Sequence, residues 1–167
     1  MRWAEATGAA IGGGLAFLAA GLRVDATGTE LARLMIVGGA LGAIVAADLA
    51  EHRIPNRIVT PAAVACAALL AAEAVRPQQL LSGLAIVAVM LALSVVSPAS
   101  FGMGDVKLAL LLLLGLGAFA TQALVLGLVL AATFGAALML RYGRTAARRS
   151  LPLAPFLSGG AVAAVLL

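Results

Sequence analysis

Apolar positions in this chain come in long unbroken runs, without the alternation of a half-buried strand or the one-sided stripe of a water-facing helix. Cut by charge, Pro and Gly, the runs fall at 7–23, 33–50, 58–75, 79–97, 105–118, 121–140 and 155–167. A helix that fills a bilayer core of ~30 Å needs about 20 mostly apolar residues, and the runs offer segments of that kind repeatedly. A β-barrel would also satisfy its backbone in lipid, but barrel strands alternate and these Leu/Ala-rich runs do not. The pattern predicts an all-α fold: a polytopic transmembrane helical bundle with six or seven membrane segments, forming a single integral membrane domain over residues 1–167.

Composition strengthens this reading. Of 167 residues 63% are hydrophobic and 11% charged, and the mean hydropathy of +1.14 is far above what a water-facing surface tolerates. The net charge of +4 comes from basic residues in the loops, so it points to orientation in a membrane and not to nucleic acid. With the N-terminus cytoplasmic, the inside carries Arg2, Arg53, Arg57, Lys107, Arg141, Arg144, Arg148 and Arg149, and the outside carries Arg23, Arg33 and Arg76. The cluster Arg141, Arg144, Arg148 and Arg149 reads as an orientation signal against anionic lipid, worth about 1 kcal/mol per residue near the surface. The first run has the look of a secretory signal sequence, with Arg2 before an Ala-rich stretch and small residues in "LAAGL", but is expected to be retained. The single cysteine, Cys66, allows neither a disulfide framework nor a four-cysteine zinc site, and is expected to be lipid- or helix-facing. Small residues four apart, Gly8 with Gly12 and Gly38 with Gly42, predict close helix packing.

Seven acidic residues remain to be explained. Glu5, Asp25, Glu30, Glu51 and Glu73 read as interfacial or loop groups. Asp48, at the end of the second run, and Asp105, at the start of the fifth, fall at the same face of the membrane. If Gly117 ends the fifth segment, residues 105–117 span only about 20 Å at ~1.5 Å per residue. An Asp below the headgroups costs roughly 2.5–3.5 kcal/mol, which makes it a functional candidate with an expected partner. Asp48 is that partner. Two carboxylates a few ångströms apart cannot both ionise, so one holds a proton while the other stays an anion, and an acid and a base share one site. Such a pair can activate water against a peptide carbonyl and protonate the leaving amine.

Gly102 and Gly104 lack a Cβ and would let a substrate backbone or a neighbouring helix approach Asp105. Pro55 and Asn56 would mark the turn that follows the second helix and fixes how Asp48 is presented. Blander readings stand beside these: Asp105 with Lys107 as an interfacial charge cluster, and Asp48 as a helix-end residue satisfied by Arg53. Asp48 and His52, four apart with Glu51 adjacent, suggest a metal site, but His52 is the only histidine and its loop is solvated; no metal and no cofactor are expected. "GMGDVK" lacks the Gly-Lys-Ser/Thr order of a phosphate-binding loop.

Three blocks carry a resemblance. "GMGDVKL" at 102–108 resembles the GxGD signature of the type IV prepilin peptidases, intramembrane aspartyl proteases. "DLAEHRIPNRI" at 48–58 is similar to that family's aspartate, basic stretch and Ile/Leu-Pro-Asn/Asp, and "LPLAPFLSGGA" at 151–161 to its Pro-rich lead into the last helix. Leu153 and Ala154 stand where an aromatic residue and a glycine are common in the family. The resemblance implies that Asp48 and Asp105 are a catalytic dyad and that the single domain is a peptidase. It implies substrates that are prepilin-like proteins with a short basic leader, cut at the cytoplasmic face of the cell membrane. The chain looks like the short form associated with Flp/Tad-type pili: it has none of the Cys-x-x-Cys segment of the larger members, so neither zinc nor methyl transfer is expected.

Lys107 is open to two roles, holding the loop or meeting lipid phosphate, and the lipid role is preferred. Two other readings compete with the peptidase. In one, a small proton- or ion-coupled transporter relays protons between the two Asp residues; in the other, a structural subunit pairs them with Arg53 and Lys107. Transport fits poorly, because no titratable residue interrupts Leu108 to Leu114.

Overall fold

The computed structural model describes residues 3–23, 26–51, 54–73, 77–97, 102–142 and 153–167. Among these residues the chain forms seven α-helices and no strand: α1 (Trp3–Arg23), α2 (Gly28–Glu51), α3 (Asn56–Ala71), α4 (Pro77–Val96), α5 (Met103–Leu116), α6 (Ala120–Tyr142) and α7 (Ala154–Leu166). A single 3-10 turn, Gly117–Phe119, joins α5 to α6. The seven apolar runs thus become seven helices. Two helical stretches, Gly28–Asp48 and Met103–Tyr142, meet the length and hydropathy of a membrane crossing; Ile11–Leu22, Asn56–Ala71, Leu80–Val96 and Ala154–Leu166 are shorter apolar helices.

The second helix begins at Gly28, five residues before the run suggested, because a capping box starts it. Thr27 Oγ1 accepts the Glu30 backbone N–H (3.4 Å), and Glu30 Oε2 accepts the Thr27 N–H (2.7 Å), satisfying two backbone donors reciprocally. Glu30 is therefore a cap, and not merely an interfacial charge.

α1 packs on α2 and α6 on α7, and glycines set how closely these pairs approach. Gly13 on α1 lies directly against the Gly38 backbone on α2; a Cβ at either position would collide with the other's carbonyl oxygen. Gly8 and Gly12 have open space around them, so the expected packing pair at those positions is corrected to Gly13 with Gly38. The same device recurs between α6 and α7, where a Cβ on Gly160 would stand 2.7 Å from Gly127 Cα. Phe134 and Phe156 extend that seam with ring centroids 5.2 Å apart.

The centre of the bundle is α5. Its sequence is apolar on every side, as a helix surrounded by others must be, and α2, α3, α4, α6 and α7 all touch it. Leu108, Ala109, Leu111 and Leu112 are fully buried. Gly115 fits against Val37 of α2 and Cys66 of α3, which makes Cys66 a buried, helix-facing residue. Outward, the bundle presents large apolar side chains such as Leu15, Val64, Leu84, Val95 and Val129. That is a surface suited to lipid.

Candidate active site

One end of α2 and the opposite end of α5 meet at the same end of the bundle. Asp48 lies in the last turn of α2 and is buried, with 6% of its surface exposed. Asp105 is in the first turn of α5 and is partly buried. The two carboxylates are close enough that the charge of Asp48 acts on Asp105. Residues 57 positions apart in sequence are brought together because α2 and α5 run antiparallel through the core.

Local backbone geometry orients Asp105. Gly102 precedes α5 in an extended conformation, φ −77° and ψ 142°, and its carbonyl accepts the Asp105 N–H at 3.1 Å. A Cβ on Gly102 would stand 3.4 Å from Asp105 Oδ2, so the carboxylate turns back over the start of its own helix. There it also faces the positive end of the helix dipole. Gly104 faces the chain between α2 and α3: a Cβ would lie 3.3 Å from Ile54 Cβ, so this glycine accommodates the neighbouring segment.

Pro55 is the N-cap of α3 and Asn56 its first residue. Pro55 is extended, and its carbonyl accepts the N–H groups of Ile58 (3.0 Å) and Val59 (3.3 Å), starting α3. Lys107 Nζ donates to Asn56 Oδ1 at 3.0 Å. Of the two roles considered for Lys107, this contact is the loop-holding one, and it ties the start of α5 to the start of α3. Arg141 is exposed and lies 5.5 Å from the Tyr142 ring centroid. Arg144, Arg148 and Arg149, together with His52 and Arg53, lie outside the described residues, as do Leu151 and Pro152 of the third sequence block. Among the described residues no group of three His, Cys, Asp or Glu is placed to hold a metal.

At the other end of the bundle the sequence reading needs correction. Arg33 and Glu73, read as outer-loop charges, form an ion pair with Arg33 only 3% exposed. Arg33 Nε donates to Glu73 Oε1 (3.1 Å) and Nη2 to Oε2 (2.6 Å), while Nη1 donates to the carbonyls of Leu114 and Gly115, each at 3.2 Å. The sequence did hold a signal: an arginine one turn inside an apolar helix needs a partner, as Asp105 did. The partner lies 40 residues away, which spacing alone does not reveal.

Among the described residues the chain is a helical bundle with a largely apolar surface, and two aspartates, one buried and one partly buried, stand at one of its ends where acid–base chemistry could be done. Residues 35–140 match the model of the type IV leader peptidase family, and the chain belongs to that family. The matched stretch runs from α2 into α6 and includes both Asp48 and Asp105. No curated protein and no solved structure matches the chain.

Proposed function

We propose that the protein is a multi-pass aspartyl endopeptidase of the cell membrane that removes basic leader peptides from prepilin-like proteins, with Asp48 and Asp105 as its catalytic dyad. The observation that carries this reading is the meeting of these two carboxylates at one end of the bundle, within residues that match a leader peptidase family. The family match lends no support to the transporter reading.

The chemistry follows from the pair. One carboxyl holds a proton while its neighbour is ionised. The carboxylate takes a proton from water as the water oxygen bonds to the scissile carbonyl carbon, and the protonated partner donates to the carbonyl oxygen. Collapse of the tetrahedral intermediate breaks the C–N bond, and a proton passes to the departing amine. Gly102 leaves the side of Asp105 uncluttered for an extended peptide. The positive-inside distribution supports a cytoplasmic site, where a basic leader would meet the dyad.

The test is cleavage of a prepilin-like peptide by the detergent-purified protein. Asp48→Asn and Asp105→Asn should each abolish cleavage, and the double variant should be no worse than either, because the two residues act as a unit. Cleavage by Asp105→Asn at the parental rate would refute the dyad.

A further inference from the structure

We propose that Arg33 and Glu73 are positioning residues for the carboxylate pair, a clamp at the far end of the bundle that sets the axial register of α5 against α2. Arg33 lies just outside the stretch that matches the leader peptidase family. The inference takes from the peptidase reading only its catalytic consequence.

Arg33 and the carbonyls it holds lie on the same two helices as the proposed catalytic residues. α2 carries Arg33 near its start and Asp48 near its end; α5 carries Asp105 in its first turn and Leu114 and Gly115 in its last. Along α2 the separation is about 22 Å at ~1.5 Å per residue, and along α5 about 15 Å. With the carboxylates level, a gap of about 7 Å remains at the other end. The long Arg33 side chain spans it.

The guanidinium is used on both sides. Its Nε and Nη2 fork onto the Glu73 carboxylate, just past α3, which fixes its plane. Its Nη1 holds two of the carbonyls that the end of α5 leaves without helical partners. Gly117 makes room for it: φ is +54° there, and a Cβ would stand 3.1 Å from Nη1. α5 is a short helix packed against five others, so an axial shift at its last turn is passed to Asp105 at its first.

A fold staple and a register clamp differ in what they move at the distant end. In a Cys66→Ala background, Ile54→Cys with Gly104→Cys places two thiols whose Cβ atoms lie about as close as a disulfide requires, and mild oxidation should cross-link them. Adding Arg33→Gln should slow that cross-linking about tenfold while the protein still unfolds cooperatively. In the parent protein, Arg33→Gln should lower kcat by about tenfold to a hundredfold with KM little changed, the loss expected when a reacting group is misplaced by an ångström. Arg33→Lys, which keeps the charge but not the fork, should recover part of each. If Arg33→Gln does not fold, Glu73→Gln supplies the same readouts, with smaller changes in the same direction. Parental cross-linking in a folded variant would overturn the clamp. So would lowered stability with kcat unchanged. Should cleavage prove independent of Asp48 and Asp105 while cross-linking still responds to Arg33, the dyad assignment falls and the register clamp stands.

Discussion

Substituting Gly115 with alanine tests whether the α2–α5 contact governs both stability and activity. A methyl at this position would overlap Val37 Cγ2, stand 3.3 Å from Val37 Cβ and 3.5 Å from Cys66 Sγ. Val37 is fully buried, and as a β-branched helical residue it has one strongly preferred rotamer, so it cannot turn aside. α2 and α5 must therefore part. Overpacking of this kind costs about 1–3 kcal/mol, set against a helix-propensity gain of up to about 1 kcal/mol for replacing glycine. The net expectation is a loss of about 1–2 kcal/mol. Val37→Ala alone should cost about 2 kcal/mol through lost packing and the void left behind. Together the two changes should cancel in part, because the new methyl occupies the space that the valine methyls vacate, with a coupling of about 1–2 kcal/mol. Reversible unfolding in mixed micelles across the four proteins measures this, and peptide cleavage by the same set should show kcat falling in Gly115→Ala and returning in the double variant. Additivity within about 0.5 kcal/mol would refute the reasoning, since it would mean that the two side chains never compete for the same space.

Other consequences are open to the same assays. Removing the α2 capping box with Thr27→Ala should lower stability by about 1 kcal/mol without changing kcat, because the cap's hydrogen bonds join Thr27, Thr29 and Glu30 and leave the partners of Arg33 in place; a large fall in kcat would show that the cap also sets the register. Breaking the link between the starts of α5 and α3 with Lys107→Met or Asn56→Ala should lower kcat by similar factors, worth about 1 kcal/mol each, and the double variant should add little. Independent, additive effects would show that the 3.0 Å contact does not couple them.

The number and order of the helices were legible because charged residues are scarce and fall between the apolar runs or near their ends. Asp48 and Asp105 stood out as candidates for a related reason: in a chain this apolar, a charge inside a helix needs a cause, and both fall at one end of the bundle. Helix rotation was not legible. A run such as "LALLLLLGL" has no polar side to mark its outward face, so nothing in the spacing distinguishes Gly8 and Gly12, which face open space, from Gly13, which meets Gly38. The centrality of α5 became evident only from its neighbours.

Arg33 shows where the reasoning from scarcity stopped short. Counting it as an outer charge satisfied the positive-inside pattern, and that pattern needs nothing of where a side chain points. Yet the cost that drew attention to Asp105 applies equally to a guanidinium that is 3% exposed. Both termini of α5 make polar contacts beyond the helix itself. At its start the Gly102 carbonyl takes the Asp105 N–H and Lys107 reaches Asn56 of α3. At its end Arg33 of α2, held by Glu73, takes the Leu114 and Gly115 carbonyls. A central helix fixed by polar contacts at both termini, with apolar packing between, has little freedom to slide, and that restriction is what a pair of carboxylates facing across two helices requires.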